Sequence, residues 1–126
     1  MFTVARKGAD SLKYFYEMEI DKYIYYRIPK PLFTSIRYKD MSPMSKILYG
    51  IFLDRNSLSR VNGWVDEQGR VFFYFKHSEA AEMLGVTEKT IRKLMKELVN
   101  NDLLEVVRQG CNLPNILYLG QYELST

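Results

Sequence analysis

A chain of 126 residues, 47% of them hydrophobic and 14% aromatic, can bury one core but not two, so we expect a single domain. A formal net charge of +3 permits a polyanionic partner without demanding one. The single cysteine, Cys111, excludes an intrachain disulfide, and no apolar run approaches the ~20 residues that span a bilayer. These features predict a cytoplasmic protein that does not bind membranes.

The N-terminal part divides into an arm and a segment rich in aromatic residues. Residues 1–13 contain little apolar surface and are predicted to be a flexible arm. From Tyr14 to Ile28, alternating apolar residues and a β-favouring run predict one or two strands. The spacing of Leu12, Phe15 and Tyr16 leaves a helix open as the alternative.

The same aromatic segment is the predicted dimer interface. It carries more rings than one small core needs, and Tyr is favoured at interfaces. We therefore expect a symmetric homodimer, and a strand edge in this segment would also favour pairing. The alternative is that the segment packs on its own domain. The residues assigned to the interface are Tyr14, Tyr16, Tyr23, Tyr25 and Tyr26.

A first helix is predicted to begin at Ser42-Pro43, since Ser can accept a backbone hydrogen bond and Pro suits the first helical position. We expect this helix to end near Asn56. Its predicted apolar stripe consists of Met44, Ile47, Leu48, Ile51 and Phe52.

A β-hairpin is predicted after the first helix. Trp64–Asp66 and Arg70–Phe75 flank the turn residues Glu67-Gln68-Gly69. We expect Trp64 and the run Val71–Phe75 to lie in the core.

A helix-turn-helix motif is predicted next. Ser78 is expected to cap a short helix that stops at Gly85, and Thr87 to cap a second helix that runs to Asn100. The spacing of Ala81, Gly85 and Ile91 fits the motif: a small residue permits close crossing, glycine permits a positive φ, and the isoleucine fills the wedge between the helices.

The second motif helix has one apolar and one basic face. Burial of Ile91, Leu94, Met95 and Leu98 would leave Glu88, Lys89, Arg92, Lys93, Lys96 and Glu97 exposed. A basic face on this helix predicts contact with the DNA major groove, although a merely solvated face would look the same. The residues assigned to DNA contact here are Ser78, Thr87, Glu88, Lys89, Thr90, Arg92, Lys93 and Lys96.

Two further strands, Leu103–Arg108 and Ile116–Leu119, are predicted to flank a loop that forms a wing. The wing residues assigned to DNA contact are Arg108, Gln109, Asn112 and Asn115, with Arg108 on a phosphate. Cys111 is expected to be a small apolar filler. The predicted fold class is therefore α+β: a winged helix-turn-helix over residues 14–126, with an extra β-hairpin and an N-terminal strand segment.

The sequence offers no support for catalysis. His77 is the only histidine, which excludes a paired-histidine metal site. A Gly-rich phosphate-binding loop of the nucleotide-hydrolysing type is absent. We expect no enzyme activity, no metal and no cofactor.

The most specific segment of the sequence is the wing, Val107-Arg108-Gln109-Gly110-Cys111-Asn112-Leu113-Pro114-Asn115, and two others are Tyr25-Tyr26-Arg27-Ile28-Pro29 and Asn62-Gly63-Trp64-Val65-Asp66-Glu67. These segments resemble the RepA N-terminal family of plasmid replication initiators from Gram-positive bacteria. The resemblance runs from about Tyr23 to Leu119. It implies sequence-specific binding of double-stranded DNA at repeated origin sites to initiate plasmid replication, with host replication factors recruited by a C-terminal domain absent from this chain.

Two alternatives to an initiator remain at this point. A winged helix can serve as a transcriptional repressor, which binds DNA by the same means. It can also be a protein–protein interaction module, because fold alone does not fix function.

Overall fold

The computed structural model describes residues 12–18 and 23–123, which form four helices and a two-stranded antiparallel sheet. The α+β winged helix-turn-helix is confirmed, and an additional short helix, α1, precedes the predicted first one. The elements are α1 Pro31–Thr34, α2 Pro43–Val61, α3 His77–Leu84, α4 Glu88–Asn100, β1 Leu104–Val107 and β2 Ile116–Leu119. None of the described helices is long and apolar enough to cross a membrane.

Helix α2 begins where the sequence predicts but ends later. The hydroxyl of Ser42 accepts the backbone N–H of Ser45, and Pro43 occupies the first helical position. The helix continues past Asn56 to Val61, because neither glycine nor proline interrupts it before Gly63, where φ is +78°.

The buried face of α2 differs from the predicted stripe mainly at Ile47. Leu48, Ile51 and Phe52 are buried and Met44 is half-buried, whereas Ile47 is exposed. Tyr49 is buried instead, and its hydroxyl donates to the carbonyl oxygen of Gly120 at 2.7 Å. A tyrosine can enter the core because this hydrogen bond satisfies its polar end.

The predicted N-terminal strand is wrong for the described residues. Residues 12–18 and 23–29 contain no strand, and no sheet edge pairs with them. Arg27 and Ile28 instead cross α2 at Gly50, where a Cβ would come within 2.8 Å of Ile28 Cγ1 and 3.0 Å of Arg27 O. Most of the predicted arm, residues 1–11, and residues 19–22 of the aromatic segment lie outside the described residues.

The predicted hairpin is present only as a chain reversal joined by one bridge, Val65 with Val71. The carboxylate of Asp66 closes its turn by accepting the backbone N–H groups of Gln68 and Arg70. Beyond the turn, Phe73 forms a second isolated bridge, with Leu117 of β2. Phe73 is fully buried, as predicted.

The prediction that Trp64 belongs to the core is wrong. Its exposed fraction is 44%, and its ring packs against Phe72 and Tyr74. These rings lie on the outer side of the sheet, since residues alternate along an extended segment and the intervening Phe73 faces inward. The core lies on the inner side, where Phe73 packs on Phe52 of α2.

Candidate nucleic-acid interface

The turn between α3 and α4 has the geometry that the motif spacing predicts. Gly85 adopts the left-handed conformation, with φ +68° and ψ +36°. A Cβ at Gly85 would meet no atom within 4 Å, so glycine is favoured here by its backbone conformation and not by lack of space. Ala81 and Ile91 are both buried between the two helices.

The two motif helices begin differently. The hydroxyl of Thr87 accepts the backbone N–H of Thr90 at 3.2 Å, which confirms the predicted cap of α4. The predicted cap of α3 is wrong: Lys76 occupies that position with an extended backbone and no side-chain cap, and Ser78 lies in the first turn of the helix. Ser78 remains exposed at the N-terminal end of α3.

Helix α4 separates an apolar face from a cationic one. Its buried residues are Ile91, Leu94, Met95 and Leu98, as predicted. The exposed residues on the other side are Glu88, Lys89, Arg92, Lys93 and Lys96, whereas Thr90 is half-buried. Four cations against one carboxylate give this face the charge that favours contact with phosphate groups.

Glu97 departs from the prediction of an exposed residue. It is half-buried, and its carboxylate accepts hydrogen bonds from Ser42 and Ser45 at the start of α2. The helical period places Glu97 beside the apolar stripe, and the sequence alone gives no sign of its partners.

The wing is a polar loop, residues 108–115, between β1 and β2. The strands pair antiparallel, with Val107 opposite Ile116 at the base of the loop, and β1 is shorter than predicted by one residue at each end. Gly110 and Asn112 have positive φ values of +122° and +65°, so turn chemistry shapes the tip. The side-chain amide of Gln109 donates to the carbonyl oxygen of Pro114 at 2.8 Å.

The predicted wing residues differ in accessibility. Arg108, Gln109 and Asn112 are exposed, and Asn115 is half-buried. Cys111 is exposed, so its predicted role as an apolar filler is wrong. It lies in the loop tip, where no core packs against it.

A cleft of about 710 Å³ separates the wing from the helix-turn-helix motif. Ser78 and Glu88 line its helical side and Asn115 lines its wing side, so the structure brings these three predicted residues together. The prediction missed Lys76 and His77, which line the same cleft. A basic residue directly before a short helix is a signal that could have found Lys76.

Arg55 also lines the cleft and was missed by the sequence analysis. Its guanidinium pairs with Glu79 at 2.7 Å and lies over the ring of Phe75 at 4.4 Å from the ring centre. Arg55 belongs to α2 and Glu79 to the first turn of α3, so this ion pair links the two helices. The sequence offered no signal for this long-range contact.

The predicted dimer residues are open to solvent. Tyr14, Tyr16, Tyr23, Tyr25 and Tyr26 have exposed fractions between 55% and 65%. Tyr23 contacts Phe15 and Tyr25 edge to face, which orders part of the aromatic segment.

Three solved structures that are similar to this chain share its fold. One, described as a structure of a Rep–DNA complex, is 39% identical with a TM-score of 0.74 and covers 90% of this chain and 88% of its own. Another, an N-terminal domain of a DNA-binding protein, is 39% identical with a TM-score of 0.73 and coverage of 90% and 87%. A third, described as an MDR initiator, is 36% identical with a TM-score of 0.71 and coverage of 90% and 89%.

A relative among characterised proteins is longer than this chain. It is described as a 41 kDa protein of Lactobacillus helveticus and is 28% identical over 111 residues, which are 83% of this chain. The chain spans 31% of that protein's length.

The family described as the N-terminus of replication initiator protein A (RepA) has a sequence model that matches residues 24–126. The match includes α1 to α4 and both strands of the wing. The family resemblance of the sequence is thereby confirmed. The chain belongs to the family of RepA N-terminal domains.

Proposed function

We propose that this chain binds double-stranded DNA sequence-specifically at repeated sites in a plasmid origin, in the cytoplasm, and thereby takes part in starting plasmid replication. The observation that carries the proposal is the exposed cationic face of α4 beside a polar wing. A solved relative of 39% identity described as a Rep–DNA complex supports it. The role is one of binding and not of catalysis.

In this proposal α4 enters the major groove. Arg92 can donate two parallel hydrogen bonds to guanine, and Lys89, Lys93 and Lys96 can contact phosphates or base edges. In the same proposal, Arg108 of the wing contacts a neighbouring phosphate. The hydroxyl of Ser78 lies at the end of α3 that borders the cleft beside the wing. It can donate a hydrogen bond to the sugar-phosphate backbone of the DNA.

The test is footprinting of the chain on the origin of the plasmid that encodes it, followed by affinity measurements on the protected duplex and on a scrambled duplex. We expect protected repeats and a preference for the protected sequence. We also expect the logarithm of the affinity to fall linearly with the logarithm of the salt concentration. Salt-insensitive absence of DNA binding would contradict the proposal and favour a protein–protein module. Protection confined to the promoter of the initiator gene would favour a repressor.

We propose further that two copies associate through the aromatic segment, Tyr14–Ile28. The exposure of the five tyrosines supports this, because monomeric proteins rarely leave such a cluster in water. Twofold symmetry would place two α4 helices in successive major-groove turns about 34 Å apart.

Sedimentation at micromolar concentration tests the dimer. We expect a dimer that dissociates when Tyr25 and Tyr26 are replaced by Glu. In the alternative, the segment packs only on its own domain, as Arg27 and Ile28 do at Gly50 of α2. A monomer both free and on DNA, or a dimer unaffected by the substitutions and by deletion of residues 1–22, would contradict the proposal.

Recruitment of host replication factors is assigned to a part of the whole protein outside residues 1–126. The support is that the chain spans only 31% of its longer relative. We expect residues 1–126 alone to bind the origin without maintaining a plasmid. Plasmid maintenance by these residues alone would contradict this division.

A further inference from the structure

The N-terminus of α2 lacks a carboxylate of its own. Ser42 caps the helix, but no acidic residue lies in the first turn, and Lys46 places a cation there. In the capping box, the third helical residue is Glu or Gln and its side chain returns to the N–H of the cap. Here that third residue is Ser45, which is too short for this role. The first turn of α2 therefore contains no carboxylate of its own to balance the positive end of the helix.

Glu97 of α4 supplies the missing carboxylate from another helix. The backbone N–H of Ser42 lies 3.3 Å from each of its carboxylate oxygens, and the Ser42 hydroxyl donates to Oε1 at 2.7 Å. The Ser45 hydroxyl donates to the same oxygen. Partial burial would raise the pKa of Glu97, but the hydrogen bonds from Ser45 and Ser42 outweigh it and hold the pKa below its ordinary value.

These contacts constrain α4 in a way that its apolar stripe does not. Burial of Ile91, Leu94 and Leu98 fixes which side of α4 faces the core, but apolar contacts are not directional. Hydrogen bonds from a helix cap are directional. They restrict both the rotation of α4 about its axis and its displacement along that axis.

We propose that Glu97 is a positioning residue for DNA recognition, which holds α4 against the N-terminus of α2 so that Arg92 and Lys93 meet the correct bases. The inference rests on the proposed function. Lys93 lies one helical turn before Glu97 on the same helix. A small rotation of α4 would therefore move the side chains that contact DNA.

Electrostatics and positioning make opposite predictions for this residue. Glu97 is a negative charge near Lys93, so its neutralisation alone should strengthen binding to every DNA sequence. A positioning role predicts that the preference for the target sequence falls while binding to scrambled DNA stays equal or increases. Loss of global stability would change neither quantity as long as the protein remains folded.

The experiment compares Glu97→Gln, Glu97→Asp and Ser45→Ala with the unaltered chain. Glu97→Asp keeps the charge but shortens the side chain, and Ser45→Ala keeps the carboxylate but removes a donor. The control is Glu105→Gln, which removes an exposed carboxylate of β1 that makes no hydrogen bond to any of the described residues. Affinities for the footprinted and scrambled duplexes are measured below the unfolding transition of each variant.

We expect the ratio of specific to non-specific affinity to fall about tenfold in both Glu97 variants, less in Ser45→Ala, and not at all in the control. An unchanged ratio in folded Glu97→Gln and Glu97→Asp, with or without lower stability, would overturn the inference and leave the proposed function intact. Absence of any sequence preference in the unaltered chain would overturn the proposed function and the inference with it. If Glu97→Gln does not fold, Ser45→Ala and Glu97→Asp decide between these outcomes.

Discussion

Helix α4 and the wing are two parts of one candidate interface, but different forces hold them. Four residues of α4 are buried in the core, from Ile91 to Leu98. Of the wing residues 108–115, none is buried, and a hydrogen bond from Gln109 to Pro114 closes the loop on itself. The helix is fixed to the body of the domain, whereas the wing is fixed mainly by its own turn.

Helix α4 and the wing also differ in the number of cations that they expose. Helix α4 exposes Lys89, Arg92, Lys93 and Lys96, whereas the wing exposes a single cation, Arg108. Base recognition requires side chains held in a fixed place, and phosphate contact tolerates more movement. The difference indicates that α4 determines which sequence is bound and that the wing adds affinity for any sequence.

The largest effect is expected from Ile91→Ala, because Ile91 is fully buried between the motif helices. Removal of a buried aliphatic side chain of this size costs about 2–5 kcal/mol of unfolding free energy. The control is Val99→Ala on the same helix, where the side chain is partly exposed and the cost should be much smaller. Urea unfolding measures both. Equal losses would show that α4 is not anchored through Ile91.

The next effect is expected from joint replacement of Arg92 and Lys93 by Ala. A base-contacting Arg contributes about 1–3 kcal/mol of discrimination, so both affinity and sequence preference should fall. The matched control replaces Lys39 and Arg60, exposed cations outside α3, α4 and the wing. Binding titrations on footprinted and scrambled duplexes give the result. Unchanged preference in a folded double variant would remove these residues from the interface.

The sequence predicted α4 well because local chemistry determines it. Thr87 supplies a cap, Gly85 a positive φ, and Ile91 begins an apolar period that a single helix must bury. None of these features depends on a distant partner. The wing strands were predicted for the same reason, since Gly110 and Asn112 mark the turn between them.

Two of the failures involve partners far away in the chain. The strand predicted before Pro29 is absent from the described residues because Ile28 packs on α2 at Gly50 and not on a sheet edge. Trp64 lies on the outer face of the sheet because Phe73, and not Trp64, fills the space beside Phe52. Periodicity and propensity contain no information about such pairings.

A smaller effect is expected from Gly85→Ala. Because a Cβ at Gly85 would meet no neighbour, the cost is backbone strain alone, about 1–2 kcal/mol of unfolding free energy. Gly85→Asn should lose less, since Asn tolerates positive φ. Urea unfolding compares the two variants. Equal losses would show that something other than the backbone conformation favours glycine in this turn.

The smallest effect is expected from Arg108→Ala, and it tests the assignment of the wing to non-specific affinity. One lost phosphate contact should weaken binding to footprinted and scrambled duplexes alike and make the salt slope of log affinity shallower by about 0.9. Gln109→Ala is the control: it removes the hydrogen bond that the Gln109 side chain donates to the carbonyl oxygen of Pro114 but no charge, so the salt slope should stay unchanged. An unaltered slope in Arg108→Ala would place Arg108 outside the interface. A change in base preference would instead mean that the wing helps to select the sequence, because a residue that contacts only phosphate cannot distinguish one base pair from another.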